Sequence, residues 1–343
     1  MKAITINSYG SSEVLNLDTR QPLPVVGPHD ILVRNKATSV NPIDVMKREG
    51  YGRPVFEKKR QVKFPWILGN DTAGIVEKVG KKATRFKAGD EVFSAPGIHR
   101  QGTWAEYAAV DEKEAAFKPK NLSFEEAASI PYVAMTSWKA LVHHAKITPV
   151  KASGKKVLVH AGSGGVGTFA IQLLKAWGCH VAATCSTRNI ELVEELGADT
   201  IIDYTVTDFT RELKDYDVVF DTIGHKVAGH EEKSISILKQ NGTAAYVSIV
   251  HPMLSIITDN GLLAGVPKMG LALLSNKFKN RGIRYCWSVF SPNGKALEQV
   301  RQHLEVQKIK PVIDRVYPLD QMAEANTYVE TGRARGKVVI RID

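Results

Sequence analysis

The chain has 343 residues, 43% hydrophobic and 24% charged, which suggests about two globular domains and excludes disorder or a fibrous repeat. Its three cysteines, Cys179, Cys185 and Cys286, exclude a disulfide framework and a four-cysteine zinc site, and point to a reducing compartment. The formal charge of +10 attracts polyanions, but the basic residues are spread out, with modest knots at 58–60, 78–87 and 277–284 and no nucleic-acid-binding motif.

Met1 to Ile6 reads straight into a strand, so no signal segment is expected and the location is cytoplasmic, or the mitochondrial matrix if a transit segment was removed. The first hundred residues carry short β-rich runs, Ile31-Leu32-Val33 and Gly74-Ile75-Val76 among them, between Pro and Gly breakers. That texture predicts a compact barrel. Ser123 and Glu126 form a capping box for a helix leading to Pro131, and a second helix is expected over 136–145. Strands at 157–159, 180–184, 200–202, 218–220 and 244–248 then alternate with helical or turn sequence, helices at 166–177 and 190–196 among it. Such alternation predicts a parallel sheet covered on both faces. A last strand over 283–290 precedes a helix at 294–307, and strands near 312–316 and 337–342 bracket a short helix. The uncharged stretches 157–174 and 240–258 are interrupted by glycine and polar residues, so no membrane span is expected.

Residues 160–167 read His-Ala-Gly-Ser-Gly-Gly-Val-Gly, and Gly162, Gly164 and Gly167 match the G-x-G-x-x-G dinucleotide pattern. The run follows an apolar strand and opens a helix whose Val166, Phe169, Ala170, Leu173, Leu174 and Trp177 share one face. Gly162 permits the tight turn, Gly164 the approach of backbone to a pyrophosphate, and Gly167 close packing of helix on strand. The amides of Ser163 and Val166 are the expected nearest donors at the helix N-terminus. An NAD site places an acid about 20 residues on. Here Thr184-Cys185-Ser186-Thr187-Arg188-Asn189 holds none, so a 2′-phosphate would meet hydroxyls and Arg188, and NADPH is favoured. Ser186 or Thr187 could instead simply cap the following helix.

Ser39-Val40-Asn41-Pro42-Ile43-Asp44, Gly69-Asn70-Asp71-Thr72-Ala73-Gly74, Gly89-Asp90-Glu91-Val92 and Gly102-Thr103-Trp104-Ala105-Glu106-Tyr107 extend the pattern, as does the terminal Gly336-Lys337-Val338-Val339. With the glycine run, these motifs resemble the medium-chain dehydrogenase/reductases in their zinc-independent quinone-oxidoreductase branch. Pro131 to Thr136, Gly167 to Gln172 and Ala334 to Lys337 are most similar to the mitochondrial reticulon-interacting oxidoreductases. The resemblance implies an α/β chain in two parts: a GroES-like β-barrel domain of residues 1–123 and 292–343, and a Rossmann doubly wound parallel-sheet domain of residues 124–291. It further implies cofactor contacts at Ser163, Gly165, Val166, Ser186, Tyr204 and Lys337, with Arg335 beside the last. Ile249, Val289 and Phe290 would line the nicotinamide side.

Zinc-dependent relatives carry a His where this chain has Asn70, and a cysteine ligand near residue 40, whereas the first cysteine here is Cys179. No metal is therefore expected, and alcohol oxidation through a Lewis acid is disfavoured. By the resemblance Asn41 and Asp44 would face the acceptor, Asn41 orienting its oxygen and Asp44 holding it or a water, with Tyr51 as a further donor. An Asn-Pro turn held by its own side-chain bonds accounts for the same two residues equally well. The leading reading is an NADPH-dependent reductase of a small-molecule acceptor, a quinone or enone. An enoyl-thioester reductase and an NADPH- or RNA-binding protein with little turnover are the alternatives. Nucleic acid is not the expected partner, and a homodimer is left open.

Overall fold

The computed structural model describes residues 1–58, 62–97 and 100–343; Lys59 and Arg60 of the first basic knot lie outside them. Contacts divide the chain into two compact units: Met1–Met135, Ser291–Gln307 and Pro311–Asp343 form the first, Thr136–Phe290 and Lys308–Lys310 the second.

In the first unit, strands β1 (Ala3–Ile6), β2 (Asn16–Asp18), β3 (Asp30–Val40), β4 (Trp66–Ile67), β5 (Thr72–Val79), β6 (Glu91–Ser94), β7 (Tyr107–Asp111) and β8 (Ala115–Phe117) surround helices α1 (Pro42–Arg48) and α2 (Arg53–Lys58). Helix α3 (Phe124–Ala128) has the expected Ser123–Glu126 capping box and packs on β3 and β5. The next helix, α4, covers Pro131–Trp138, so it begins earlier than the 136 expected from the pattern. Pro131 does not end a helix; it opens one, because a first-turn residue needs no amide donor.

The second unit holds β9 (Lys156–Val159), α5 (Gly165–Ala176), β10 (His180–Cys185), α6 (Ile190–Glu195), β11 (Thr200–Asp203), β12 (Val218–Asp221), α7 (His230–Ser236), β13 (Ala245–Ser248), α8 (Met253–Lys279) and β14 (Arg284–Trp287). Its six strands run parallel in the order β11-β10-β9-β12-β13-β14. Numbered within the unit this is 3-2-1-4-5-6, the dinucleotide-binding doubly wound order. Helix α8 was not expected. Pro267, three glycines and apolar residues on several faces hide its period, and Gly261, at φ 69°, breaks it into two segments.

The chain then returns to the first unit through α9 (Gly294–Glu305), β15 (Ile313–Pro318), α10 (Met322–Glu330) and β16 (Lys337–Arg341). β16 pairs antiparallel with β3, Val338 opposite Val40, and completes the sheet β15-β16-β3-β5-β6-β8, with β7 also on β3. Val338, Ile340 and Ile342 thereby join Ile4, Ile6, Trp66 and Trp104 in one apolar core.

Arg48 fastens the tail from the other side. It is fully buried, and its guanidinium donates to the Gly10 carbonyl at 3.0 Å, Asn326 Oδ1 at 3.2 Å and Glu330 Oε1 at 2.6 Å. Arg48→Met keeps the bulk but strands those acceptors. It should cost about 2–3 kcal/mol, below the full penalty of a broken buried pair because Glu330 still reaches water. Urea unfolding checks this, and a loss below about 0.5 kcal/mol, an ordinary surface effect, would refute the role given to Arg48.

Candidate active site

In the second unit the glycine run forms a tight turn between β9 and α5. Ala161 takes a left-handed φ of 48°, and its carbonyl accepts from Gly164 N at 3.0 Å. A Cβ on Gly167 would stand 2.3 Å from that carbonyl oxygen, so only glycine fits there, whereas one on Gly164 would meet nothing nearer than 3.5 Å. Gly164 caps α5, and the first-turn amides of Gly165, Val166 and Gly167 have no intrahelical acceptor.

The hydroxyls of Ser163 and Ser186 are tied together by one side chain. Asn189 Nδ2 donates to Ser163 Oγ at 2.9 Å and to Ser186 Oγ at 3.2 Å. Both hydroxyls act here as acceptors, which leaves their protons to donate outward. Asn189 Oδ1 is buried with no hydrogen-bond partner. The turn thus presents backbone and hydroxyl donors suited to phosphate oxygens and an orphan acceptor suited to a hydroxyl, which is the composition of a dinucleotide. Ser186 makes no side-chain cap, so the capping alternative does not describe it.

Thr187 is otherwise engaged. Its hydroxyl meets Thr205 Oγ1 at 3.1 Å, and hydrogen bonds from Thr187 and Thr205 hold the Asp203 carboxyl below its usual range. A carboxylate therefore does lie near the end of β10, supplied by β11, but hydroxyls occupy it. Arg188 and Tyr204 are exposed. Ile249 follows β13, and Val289 and Phe290 follow β14. With Ser163, Ser186 and Tyr204 they all lie just past the carboxyl ends of the parallel strands, where open α/β sheets bind ligands.

Below the turn, His160 and His230 meet edge to face at 4.3 Å between ring centroids. Burial first, then the neighbouring His230, lowers His160 to about 3, so its ring is neutral and serves packing and hydrogen bonds to Thr184 and Ser234.

In the first unit, Asn41 caps α1 and Pro42 takes its first position. Asp44 Oδ2 accepts from Asn41 N at 2.9 Å and from Asn41 Nδ2 at 3.2 Å, while Asp44 Oδ1 accepts from Asn70 Nδ2. Lys47 Nζ donates to Asn70 Oδ1 at 2.8 Å. Asp71 Oδ2 accepts from Ser39 Oγ at 2.5 Å and Asn41 Nδ2 at 2.8 Å, and Asp71 Oδ1 from Tyr132 N at 2.6 Å. Lys337 Nζ donates to Asn41 Oδ1 and stands 3.4 Å from Asp71 Oδ2. All of Asn41, Asp44, Lys47, Asn70, Asp71 and Lys337 are buried.

Burial raises the Asp44 carboxyl to about 6 against the pull of Lys47, and burial lowers Lys47. Tyr132 is raised by burial and by Asp44, Asp71 and Tyr51, so its phenol stays protonated. The cluster can hold a proton near neutral pH. Both ends of the Asn41 amide are already bonded, so Asn41 and Asp44 act through this network rather than as free groups. Lys337 belongs to it too, and Arg335 lies exposed nearby in sequence, its backbone amide donating to Asp314 at 3.1 Å.

Residues 27–120 match the model of the alcohol dehydrogenase GroES-like domain, and residues 196–340 that of zinc-binding dehydrogenases. The chain is 38% identical to the mitochondrial NAD(P)H oxidoreductase RTN4IP1 of Danio rerio, over 100% of this chain and 91% of that protein. It is 36% identical to the 2-methylene-furan-3-one reductase of Solanum lycopersicum, over 99% of this chain and 79% of that one. The quinone oxidoreductase of Coxiella burnetii superposes with a TM-score of 0.83 at 30% identity, over 100% of this chain and 99% of that chain. The chain belongs to the medium-chain dehydrogenase/reductases, in their quinone-oxidoreductase-like branch.

Among its described residues this medium-chain reductase does not offer those a catalytic zinc needs. The Asn70 amide is spent at both ends between Asp44 and Lys47, and no group of three or more His, Cys, Asp or Glu among the described residues could hold a metal. Sequence reading missed Asn189, Asp203, Lys47 and the role of Asp71. Asp71 had a signal, since it sits in the Gly-Asn-Asp motif. The others needed the sheet register and the α1 turn to show their neighbours.

The carboxyl of Asp44 titrates at about 6 when folded against 3.8 as its ordinary value. A raised carboxyl contributes stability that is full below the unfolded value and lost as pH rises through the folded one. The stability of wild type minus that of Asp44→Asn should therefore fall between those two values and level off above. Urea midpoints at stepped pH measure the difference, and a flat or rising difference would contradict the burial of Asp44.

Proposed function

We propose that this chain is an NADPH-dependent reductase of quinones or other α,β-unsaturated carbonyls that works without a metal. The observation that carries the reading is the Gly162–Gly167 turn, with Ser163 and Ser186 held as paired donors by Asn189 and no carboxylate on the β10 end itself. The relatives named NAD(P)H oxidoreductase and furanone reductase, and an NADPH-dependent alkenal/one oxidoreductase of Arabidopsis thaliana at 34% identity, support it.

NADPH, when bound, supplies a hydride to the acceptor. The amides of Ser163, Gly165 and Val166 would hold its pyrophosphate against the α5 N-terminus. Ser186, Arg188 and Tyr204 would take the 2′-phosphate, with Arg188 providing the charge. The Asp203 carboxyl, hydrogen-bonded by Thr187 and Thr205, stays ionised, so the Arg188 charge would have to outweigh it at the 2′-phosphate. Ile249, Val289 and Phe290 would exclude water on the nicotinamide side. In the other unit Asn41, Asp44, Asp71 and Lys337 act as positioning residues that fix proton positions, and a conjugated acceptor spreads its developing charge without a Lewis acid.

Among the described residues no helix is long and apolar enough to cross a membrane. The relatives named mitochondrial favour the matrix as the compartment. A homodimer is the assembly to look for first, since β14 ends the parallel sheet.

Wild type should bind NADPH more than about tenfold tighter than NADH, since a charge-assisted Arg–phosphate contact contributes roughly 1.5–3 kcal/mol. Ser186→Asp should reverse much of that ratio through like-charge repulsion, read by fluorescence titration of both cofactors. Equal dissociation constants in the wild type would overturn the assignment of Ser186 and Arg188.

A further inference from the structure

Helix α8 has two apolar faces, and the fold uses one. Met269, Ala272 and Leu273 pack against the sheet core beside Ile283, Tyr285 and Trp287, and Asn276 reaches Tyr285. On the opposite face Leu263 is 94% exposed, Leu271 67%, Leu274 65% and Phe278 75%, with Pro267 exposed between them. Positions 263, 267, 271, 274 and 278 follow the spacing of a single helical stripe. Large side chains in a row on a solvent face contribute nothing to folding this unit, and contiguous exposed apolar patches mark interaction sites.

The flanks of the stripe are basic. Lys268, Lys277 and Lys279 are exposed on the same helix, and Arg281 follows it. No acidic residue occurs between Asp259 and Glu298. Lys139 and Lys146 share the field of Lys277, since all three add to burial in lowering His144. Glu232, 3.9 Å from Lys279, and Glu231, which accepts from Tyr285 at 3.0 Å and feels the Lys279 charge, are acids at the stripe's end.

We infer that the outer face of α8 is an interfacial helix that seats this protein on an anionic lipid surface. Leucines and phenylalanine on one stripe would enter the acyl boundary, while lysines on either side would meet acidic headgroups with their stems along the apolar layer. The helix would lie in the interface, as it is not apolar enough to span. Two other occupants fit less well. A second copy docked stripe to stripe would bring two lysine rims together, with no acid in the stripe segment 260–279 of either copy. An acidic protein would have to match a convex apolar row, which a membrane accepts without shape complementarity. This inference does not depend on which acceptor is reduced.

Sedimentation with vesicles of phosphatidylcholine, with and without phosphatidylserine, tests it on the full chain at physiological salt. Wild type is expected to sediment with the anionic vesicles only. Combined Lys268→Glu, Lys277→Glu and Lys279→Glu should weaken that partition on the order of a hundredfold or more, as each basic residue contributes roughly a factor of five. Combined Leu271→Ser, Leu274→Ser and Phe278→Ser should abolish it while leaving NADPH affinity unchanged, which also reports that the variant folds. Absence of wild-type binding to anionic vesicles would overturn the inference, as would binding that the variants do not alter. Sedimentation velocity covers the other occupants: a wild-type dimer that the serine variant converts to monomer assigns the stripe to a second copy and overturns it too.

Discussion

Two buried carboxylates that share the Asn41 amide as a donor organise the first unit. Removing Asp44 and Asp71 from water is expensive unless each is surrounded by donors and the charge is balanced. The chain meets that demand with Ser39 at the end of β3, Asn41 at the α1 cap, Asn70 before β5, Tyr132 N in α4 and Lys337 opening β16. Segments almost three hundred positions apart must therefore converge on one point. Lys337 brings its own counter-charge from the tail, so the return of the chain after β14 is an electrostatic requirement as well as a packing one. The same arrangement consumes the Asn70 amide, which bridges Lys47 to Asp44 where the zinc branch of the family has a histidine.

The second unit rests on sterics where the first rests on charge. The Ala161 carbonyl occupies the space a side chain at 167 would need, and it also receives the Gly164 amide. This closes the turn and brings α5 tight onto β9, so that its N-terminus lies level with the carboxyl ends of β10 and β11. Asn189 then couples the first two crossovers by bridging Ser163 and Ser186. One asparagine thus sets two hydroxyl directions at once, and the Asp203 carboxyl is bonded by the Thr187 and Thr205 hydroxyls. Recognition is built from short polar side chains at strand ends, with Arg188 as the expected cation.

Most of the second unit was legible in the chain because its signals are local. A glycine run after Val157-Leu158-Val159, with a one-faced helix behind it, requires no knowledge of distant residues. The Ser123 capping box was equally local. Pro131 misled because a proline both ends and begins helices, and only the following apolar run decides between them. Helix α8 escaped since it is apolar on two faces, and a period is visible only when one face is polar. The site in the first unit was half legible. Asn41 and Asp44 stood out by motif, but the pattern could not show that Lys337, expected beside the cofactor, has its ammonium on Asn41 and Asp71. That depends on the β3–β16 register, a long-range pairing. The position of Asp203 beside Thr187 likewise depends on a long-range pairing, the β10–β11 register.

The central claim is that cofactor and acceptor exchange hydride directly, with no metal between them. It is tested most directly by turning over an enone with NADPH deuterated at the transferable C4 position, on protein treated with a chelator. One deuterium per product molecule is expected at a carbon of the former double bond, found by mass spectrometry, at a rate the chelator does not change. Product that carries no deuterium, or activity that disappears with a stoichiometric metal, would contradict it.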